Sequence, residues 1–173
     1  ITGGLPRVAE LFEARKPKDS AIIAENDGVI EFGKEVRGKQ KISIVASTGE
    51  TSNYLIPKGK HVNFNQGEKI KKGEYLLDGA PLPHDILRVL GVEKLTEYFV
   101  TEVQEVYRLQ GVVINDKHIE TIVRQMLKRV EVKDPGDSEL LAGEVIDLLD
   151  INVINDKLRE EKKKQAACER VLL

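Results

Sequence analysis

The sequence predicts an α+β protein in which a small antiparallel unit, similar to a barrel-sandwich hybrid, is followed by a helical unit. From Ser20 to Gly79, short apolar runs alternate with glycines, which is typical of short strands joined by tight turns. After Pro81, apolar residues recur every three or four positions, which is the period of an amphipathic helix. The predicted segments are a helix in 1–19, a β-rich unit in 20–82, a helical unit in 83–133 and a partly helical tail in 134–173.

The first segment predicts a helix that begins at Pro6 and ends at Pro17. Proline suits the first helical position, because its missing N–H would have no helical partner there. The predicted apolar stripe of this helix is Leu5, Val8, Ala9, Leu11 and Phe12.

The second segment predicts several short strands. Four apolar runs are candidates, namely residues 21–24, 29–32, 41–45 and 54–56, and Gly67, Gly73 and Gly79 bracket two shorter ones. Biotinyl and lipoyl carrier domains share this kind of fold, but they present a lysine within Met-Lys-Met or Asp-Lys-Ala. The sequence contains neither tripeptide, so a carrier function is not expected.

The third segment predicts three helices after the connector at residues 80–83. Asp85 is expected to cap a short helix that ends at Gly91, and a long helix should run from Val92 until Gly111 breaks it. The apolar face of the next helix is predicted to be Ile119, Ile122, Val123, Met126 and Leu127, with Lys128 and Arg129 at its C-terminal end.

A pentapeptide is repeated within the helical part of the chain. Val-Ile-Asn-Asp-Lys occurs at 113–117 and again at 153–157, but the residues that follow the two copies differ. Asparagine accepts hydrogen bonds from the free N–H groups of a first helical turn. We therefore expect Asn115 and Asn155 each to begin a helix, the second running into residues 160–164.

The charge of the chain is unevenly distributed. The 173 residues carry a net charge of −2, but residues 34–72 hold a basic excess grouped around two glycine turns. The candidates for contact with a phosphate backbone are Lys34, Arg37, Lys39, Lys41, Lys69, Lys71 and Lys72. Such a surface attracts polyanions through salt-sensitive contacts. The alternative is that these lysines discourage edge-to-edge pairing of strands.

Catalytic chemistry is not indicated by the sequence. His84-Asp85 resembles the paired metal ligands of HD phosphohydrolases, but His61 lies in the strand-rich part and no distal aspartate ligand is placed. His118 falls in the first turn of a predicted helix, and no Asp-x-Asp-x-Asp motif is present to hold magnesium. We expect no metal site, and we expect Cys168 to be an ordinary surface cysteine without a functional thiol.

The composition and the two ends of the sequence support expectations about the compartment and about a longer parent polypeptide. No apolar run approaches the roughly 20 residues that span a bilayer, so we expect no membrane partner. A single cysteine fits a reducing compartment, and we expect a cytoplasmic protein. The chain begins Ile-Thr-Gly-Gly and ends Val-Leu-Leu, which suggests a piece of a longer polypeptide.

Several long stretches resemble one family. Residues 1–15, 83–88, 103–111, 114–120 and 123–126 are similar, in this order, to the beta-prime subunit of bacterial DNA-directed RNA polymerase. In that family the first stretch follows the trigger loop, which closes on the incoming nucleotide. Residues 18–80 stand where the family has its jaw.

The resemblance implies a role in transcription. In the family, the jaw and the adjoining helices form one wall of the downstream DNA channel. The enzyme is a nucleotidyltransferase that uses magnesium and zinc, but its catalytic residues lie outside the matched stretches, so this chain should hold no cofactor and be inactive alone. Gly3, Gly4, Pro6 and Arg7 would form the base of the trigger loop.

The implied partners are the other polymerase subunits, the rest of the beta-prime subunit and downstream duplex DNA, in the nucleoid. One alternative stays open: the jaw serves as a docking surface for transcription regulators, with little direct DNA contact.

Overall fold

A computed structural model describes residues 4–16 and 20–172. The described residues form two compact units, one within 15–95 and the other within 1–14 and 96–173. The elements are α1 (Leu5–Phe12), β1 (Ile22–Ile23), β2 (Gly28–Val36), β3 (Lys39–Val45), β4 (Thr51–Pro57), β5 (Lys69–Ile70), β6 (Tyr75–Leu77), α2 (Pro83–Leu90), α3 (Val92–Leu109), α4 (Asp116–Met126), β7 (Arg129–Asp134), β8 (Val145–Asp147), α5 (Leu148–Glu160) and β9 (Ala167–Arg170). The predicted α+β class is confirmed. The four-segment division stays a prediction.

The unit within 15–95 contains a four-stranded sheet in the order β4-β3-β2-β5 and a two-stranded sheet of β1 and β6. The strand pairs are antiparallel, and together the sheets form a half-barrel. β2 and β3 are joined by Arg37 and Gly38, whose φ angles are 50° and 75°. Two consecutive positive φ angles give the hairpin turn whose twist matches that of its strands.

Apolar residues of the strands, together with Ala24, form the core of this unit. The fully buried members are Ala24, Ile30, Ile42, Ile44, Ile56, Ile70, Leu76 and Leu77. Burial of each large side chain contributes about 1.5–3 kcal/mol relative to exposure. Gly28 is required where β2 passes close to β3, because a Cβ there would lie 2.5 Å from the carbonyl oxygen of Val45.

The start of α2 differs from the prediction. Its N-cap is Leu82, in an extended conformation, and Asp85 lies within the first turn. The prediction that Asp85 caps the helix is wrong, because a residue that precedes proline is held out of the helical region, which places the boundary before Pro83. Asp85 instead accepts a hydrogen bond from Arg88 at 3.0 Å. The predicted end at Gly91 is confirmed.

The stripe predicted for α1 is correct at Leu11, which is buried, and wrong at Leu5, which is 74% exposed, and at Ala9, which is also exposed. Leu5 begins the helix directly after Gly4, so it stands beyond the turns that pack. The prediction that this helix ends at Pro17 is wrong: it ends at Phe12, because Ala14 adopts a left-handed φ of 51°.

α4 agrees with its prediction at its start and over most of its buried face. Asn115 is the N-cap, and the buried members of the predicted face are Ile119, Val123, Met126 and Leu127. Ile122 is 44% exposed, so its place in that face was predicted wrongly. The helix ends at Met126, before Lys128 and Arg129.

The tail folds as a three-stranded sheet in the order β8-β7-β9, with α5 packed on it through Val130, Ile151 and Ala166. α5 begins at Leu148, after its N-cap Asp147, so Asn155 lies inside the helix. The prediction that Asn155 begins a helix is wrong, because the helix that contains it already begins upstream, at its N-cap Asp147. The side chain of Asn155 instead binds the backbone of Ala166.

Candidate nucleic-acid interface

Two basic turns lie side by side at one end of the four-stranded sheet. β3 pairs with β4 so that Lys39 stands opposite Pro57. The turn that follows β4, with Lys58 and Lys60, therefore lies next to the turn of Arg37 and Gly38. An open cleft of about 370 Å³ between them is lined by Gly33, Glu35, Gly38, Gln40, Pro57, Lys58, Gly59 and Lys60.

Lys58 and Lys60 were missed as candidates. They lie within the basic stretch of the sequence, but about twenty positions separate them from Lys39, and only the strand register brings them together. A signal existed. If β3 and β4 are assumed to form a hairpin, the residues after the second strand return to the start of the first.

The remaining candidates lie at the other end of the sheet. β5 pairs with β2 so that Lys69 stands opposite Val29, whereas Val36 pairs with Lys39. Val29 and Val36 are seven residues apart on β2, which is roughly 23 Å at about 3.3 Å per residue. The seven predicted residues therefore do not form one group: Lys34, Arg37, Lys39 and Lys41 lie near the cleft, and Lys69, Lys71 and Lys72 lie away from it.

The two ends differ in net charge. The cleft end, residues 33–41 and 57–60, carries six basic side chains and one acidic one, Glu35, for a net charge of +5. At the β5 end, Lys69, Lys71 and Lys72 are matched by Asp27, Glu68 and Glu74, for a net charge of zero. The carboxylate of Asp27 also accepts a hydrogen bond from the backbone N–H of Lys72 at 2.5 Å. Since net positive charge draws a polyanion, the cleft end is the stronger candidate.

A second groove runs along β4, which is an edge strand of its sheet. The groove has a volume of about 530 Å³ and is lined by residues of β1, β4 and α2 and by Glu25. The hydroxyl of Tyr54 accepts a hydrogen bond from the backbone N–H of Glu25 at 2.9 Å, and Arg88 contacts the Glu25 carboxylate at 2.6 Å. Burial raises the pKa of Tyr54 above its usual value, so its hydroxyl stays neutral at neutral pH.

Of the residues predicted at the base of the trigger loop, Arg7 anchors α1. Gly3 lies outside the described residues, Gly4 is the N-cap of α1 with φ 67°, and Pro6 lies in its first turn. The guanidinium of Arg7 donates to Glu102 of α3 at 3.1 Å and to the Tyr98 hydroxyl at 3.3 Å.

Glu102 and Tyr98 stabilise the charged form of Arg7. Burial disfavours the charged guanidinium, but the bonds to Glu102 and Tyr98 outweigh it and raise the pKa of Arg7 above its usual value. The rings of Phe12 and Phe99 stack with centroids 6.2 Å apart. These contacts hold α1 on α3, which is a structural role.

The described part of the chain gives little support for a metal site or for a nucleophilic cysteine. His61, His84 and His118 are all exposed, and within residues 4–16 and 20–172 no group of three His, Cys, Asp or Glu side chains is placed to hold a metal ion. Cys168 packs against the core of the three-stranded sheet. Burial raises the pKa of its thiol, which disfavours the nucleophilic thiolate.

Among the helices of residues 4–16 and 20–172, none combines the length and the apolar character that a membrane span needs.

Comparison with known proteins agrees with the resemblance seen in the sequence. The chain is 60% identical to the DNA-directed RNA polymerase subunit beta' of Syntrophobacter fumaroxidans and 57% identical to that of Bdellovibrio bacteriovorus. Each match covers 100% of this chain and 13% of the relative's length. Residues 7–164 match the family model described as RNA polymerase Rpb1, domain 5. The predicted relationship is confirmed, and the chain belongs to the RNA polymerase Rpb1, domain 5 family.

Proposed function

We propose that this chain is a piece of a DNA-directed RNA polymerase beta-prime subunit and helps to form the downstream DNA channel by contacting the phosphate backbone. The observation that carries the proposal is the exposed cleft end of the sheet, with its net charge of +5. The relatives are 57–60% identical along the whole chain, which supports the same place in the same enzyme.

The surface suits contacts that carry no sequence information. Lys34, Arg37 and Lys39 are exposed on strand ends and a turn, where long side chains can follow phosphates. Phosphate contacts fix the position of a protein on a duplex, whereas contacts with base edges specify sequence. A polymerase must move over every sequence, so a surface that only senses phosphate charge fits this role.

Nucleotide addition is assigned to other parts of the enzyme. The described residues offer no group of three metal-binding side chains, so the magnesium and zinc of the whole enzyme would be held elsewhere. In this proposal Arg7 and α1 support the base of the trigger loop through α3, and the rest of the beta-prime subunit and the other subunits are the protein partners.

Charge reversal in the assembled polymerase tests the proposal. Changing Lys34, Arg37, Lys39 and Lys41 to Glu should shorten the lifetime of the transcription complex and leave the rate of nucleotide addition unchanged. The isolated chain should bind duplex DNA weakly, with a Kd of roughly 10⁻⁴–10⁻⁶ M, and binding should weaken steeply with salt. Changing the same four residues to Gln removes the charge without reversing it and should give a smaller effect in the same direction.

The alternative, a docking surface for transcription regulators, is favoured by the free edge of β4 beside its groove. An exposed strand edge can take up an extended segment of another protein by backbone hydrogen bonds. Equal lifetimes for the wild-type and charge-reversed polymerases, together with regulator binding that is lost when the β4 edge is altered by Asn53→Pro, would favour docking over DNA contact.

A further inference from the structure

We propose that Lys58 and Lys60 complete a phosphate-binding cleft with Arg37 and Lys39, and that the lysines at the β5 end take no part in DNA binding. The inference rests on the proposed function and assigns it to one end of the sheet. Its occupant is the sugar-phosphate backbone of duplex DNA.

The first support is the geometry of the two turns. Lys39 stands opposite Pro57 in the sheet, so two basic turns of Arg37-Gly38-Lys39 and Lys58-Gly59-Lys60 flank one cleft. A Cβ added at Gly38 or Gly59 would meet no atom within 4 Å. The backbone of both turns therefore faces open space, where a phosphate group can approach closely.

The second support is the rigidity of the frame. The first turn closes a hairpin whose strands pair up to Val36 and Lys39. The second turn is closed by the backbone N–H of Lys60, which donates to the carbonyl of Pro57 at 3.3 Å. The backbone of both turns is therefore positioned before binding, so the conformational freedom that is lost when a phosphate binds is mainly that of the basic side chains.

The third support is the contrast with the β5 end. There Lys69, Lys71 and Lys72 are offset by an equal number of carboxylates, one of which, on Asp27, already binds the Lys72 backbone. A duplex drawn to these lysines would also meet the three acids. At the cleft end Glu35 is the only carboxylate within residues 33–41 and 57–60.

The test uses polymerase assembled with full-length beta-prime subunit on two scaffolds. One scaffold has a long downstream duplex, and the other has a duplex that ends just ahead of the active site. The test variant is K58Q/K60Q, and the matched control is K71Q/K72Q, which removes the same charge from two exposed lysines at the other end. The measurement is the dissociation rate of the complex as a function of salt concentration.

On the long scaffold, K58Q/K60Q should make log lifetime fall less steeply with log salt, by up to about 0.9 for each lysine that contacts a phosphate, which is the full change expected for the binding constant. On the short scaffold it should match the wild type, and K71Q/K72Q should match the wild type on both. An equal effect of the two variants, or an effect of K58Q/K60Q on both scaffolds alike, would overturn the inference.

Failure of the inference is distinguishable from failure of the proposed function. If K58Q/K60Q behaves as wild type while the charge reversal at Lys34, Arg37, Lys39 and Lys41 shortens the lifetime, DNA contact stands and the assignment of Lys58 and Lys60 is wrong. If the fourfold reversal is also silent on the long scaffold, the DNA-contact proposal fails with it.

Discussion

The two copies of Val-Ile-Asn-Asp-Lys adopt different structures. In the first, Asn115 has an extended backbone (φ −81°, ψ 141°), and its side chain caps α4 by accepting a hydrogen bond from the backbone N–H of Lys117. In the second, Asn155 lies inside α5, and its side chain binds the backbone of Ala166, eleven residues further along the chain. The same five residues therefore begin one helix and continue another.

The residues before each copy account for the difference. Gly111, with φ 70°, ends α3, and the backbone N–H of Val112 donates to the carbonyl of Tyr107, so the chain enters the first copy extended. The second copy follows Asp147, which already caps α5 by accepting from the backbone N–H of Leu149 at 3.0 Å. An asparagine can cap a helix only where the preceding backbone has left the helical conformation.

The largest expected effect is at Asn155. Its amide donates to the carbonyl of Ala166 at 3.2 Å and accepts from the N–H of Ala166 at 2.9 Å. Ala166 is buried, so Asn155→Ala would leave a donor and an acceptor without partners, at a cost of about 1–3 kcal/mol each before relaxation. Alanine favours the helix slightly more than asparagine, which offsets up to about 0.7 kcal/mol.

We therefore expect Asn155→Ala to lower the free energy of unfolding by about 2 kcal/mol, measured by urea unfolding of the 173-residue chain. Asp156→Ala is the matched control, because the Asp156 side chain is exposed and its ion pair with Arg159 is long at 3.6 Å. It should change stability by less than about 0.5 kcal/mol. Equal effects of the two substitutions would show that the bonds to Ala166 do not stabilise the segment between α5 and β9.

The second expected effect is at Asn115. Asn115→Ala removes the cap of α4 and should cost about 1 kcal/mol in the same measurement, whereas Asn115→Asp or Asn115→Ser should keep most of the stability. A silent Asn115→Ala, or an equal loss for all three, would contradict the capping role. Because Asn115 is exposed, this substitution should cost less than Asn155→Ala.

The comparison also shows what the sequence could predict. The period of the apolar residues and the glycine turns predicted the strands of the half-barrel and the helices α3 and α4, because these signals are local. The start of α5 was predictable as well: Asp147 stands before Leu148, Ile151 and Leu158, whose spacing of three and seven is helical. The repeat drew attention to Asn155 instead.

Other features could not be read from local sequence. The bond from Asn155 to Ala166 and the approach of Lys58 to Lys39 depend on how distant segments pair. The candidate site was therefore predicted in part: the basic stretch was visible in the sequence, but its separation into a charged end and a neutral end follows from the strand register.

The smallest expected effect is a difference in pH dependence between the two helix starts. Asp147 begins α5 with a charged cap, and Asn115 begins α4 with a neutral one. The hydrogen bond from the backbone N–H of Leu149, and to a lesser extent Lys128 at 3.4 Å, hold the pKa of Asp147 below its usual value, although burial opposes them. A lowered native pKa means that the unfolded chain takes up the proton more readily.

The stabilisation from the Asp147 carboxylate is therefore complete above the unfolded pKa of about 3.9 and is lost as the pH falls through the lower native value. Asp147→Asn keeps a cap but has no charge to lose. We expect the urea midpoint of the wild type to exceed that of Asp147→Asn at neutral pH, and the gap to close on acidification. Asn115→Asp should bring the same acid sensitivity to α4. A gap that stays constant from pH about 6 to about 2.5 would show that the charge of Asp147 adds nothing to its cap.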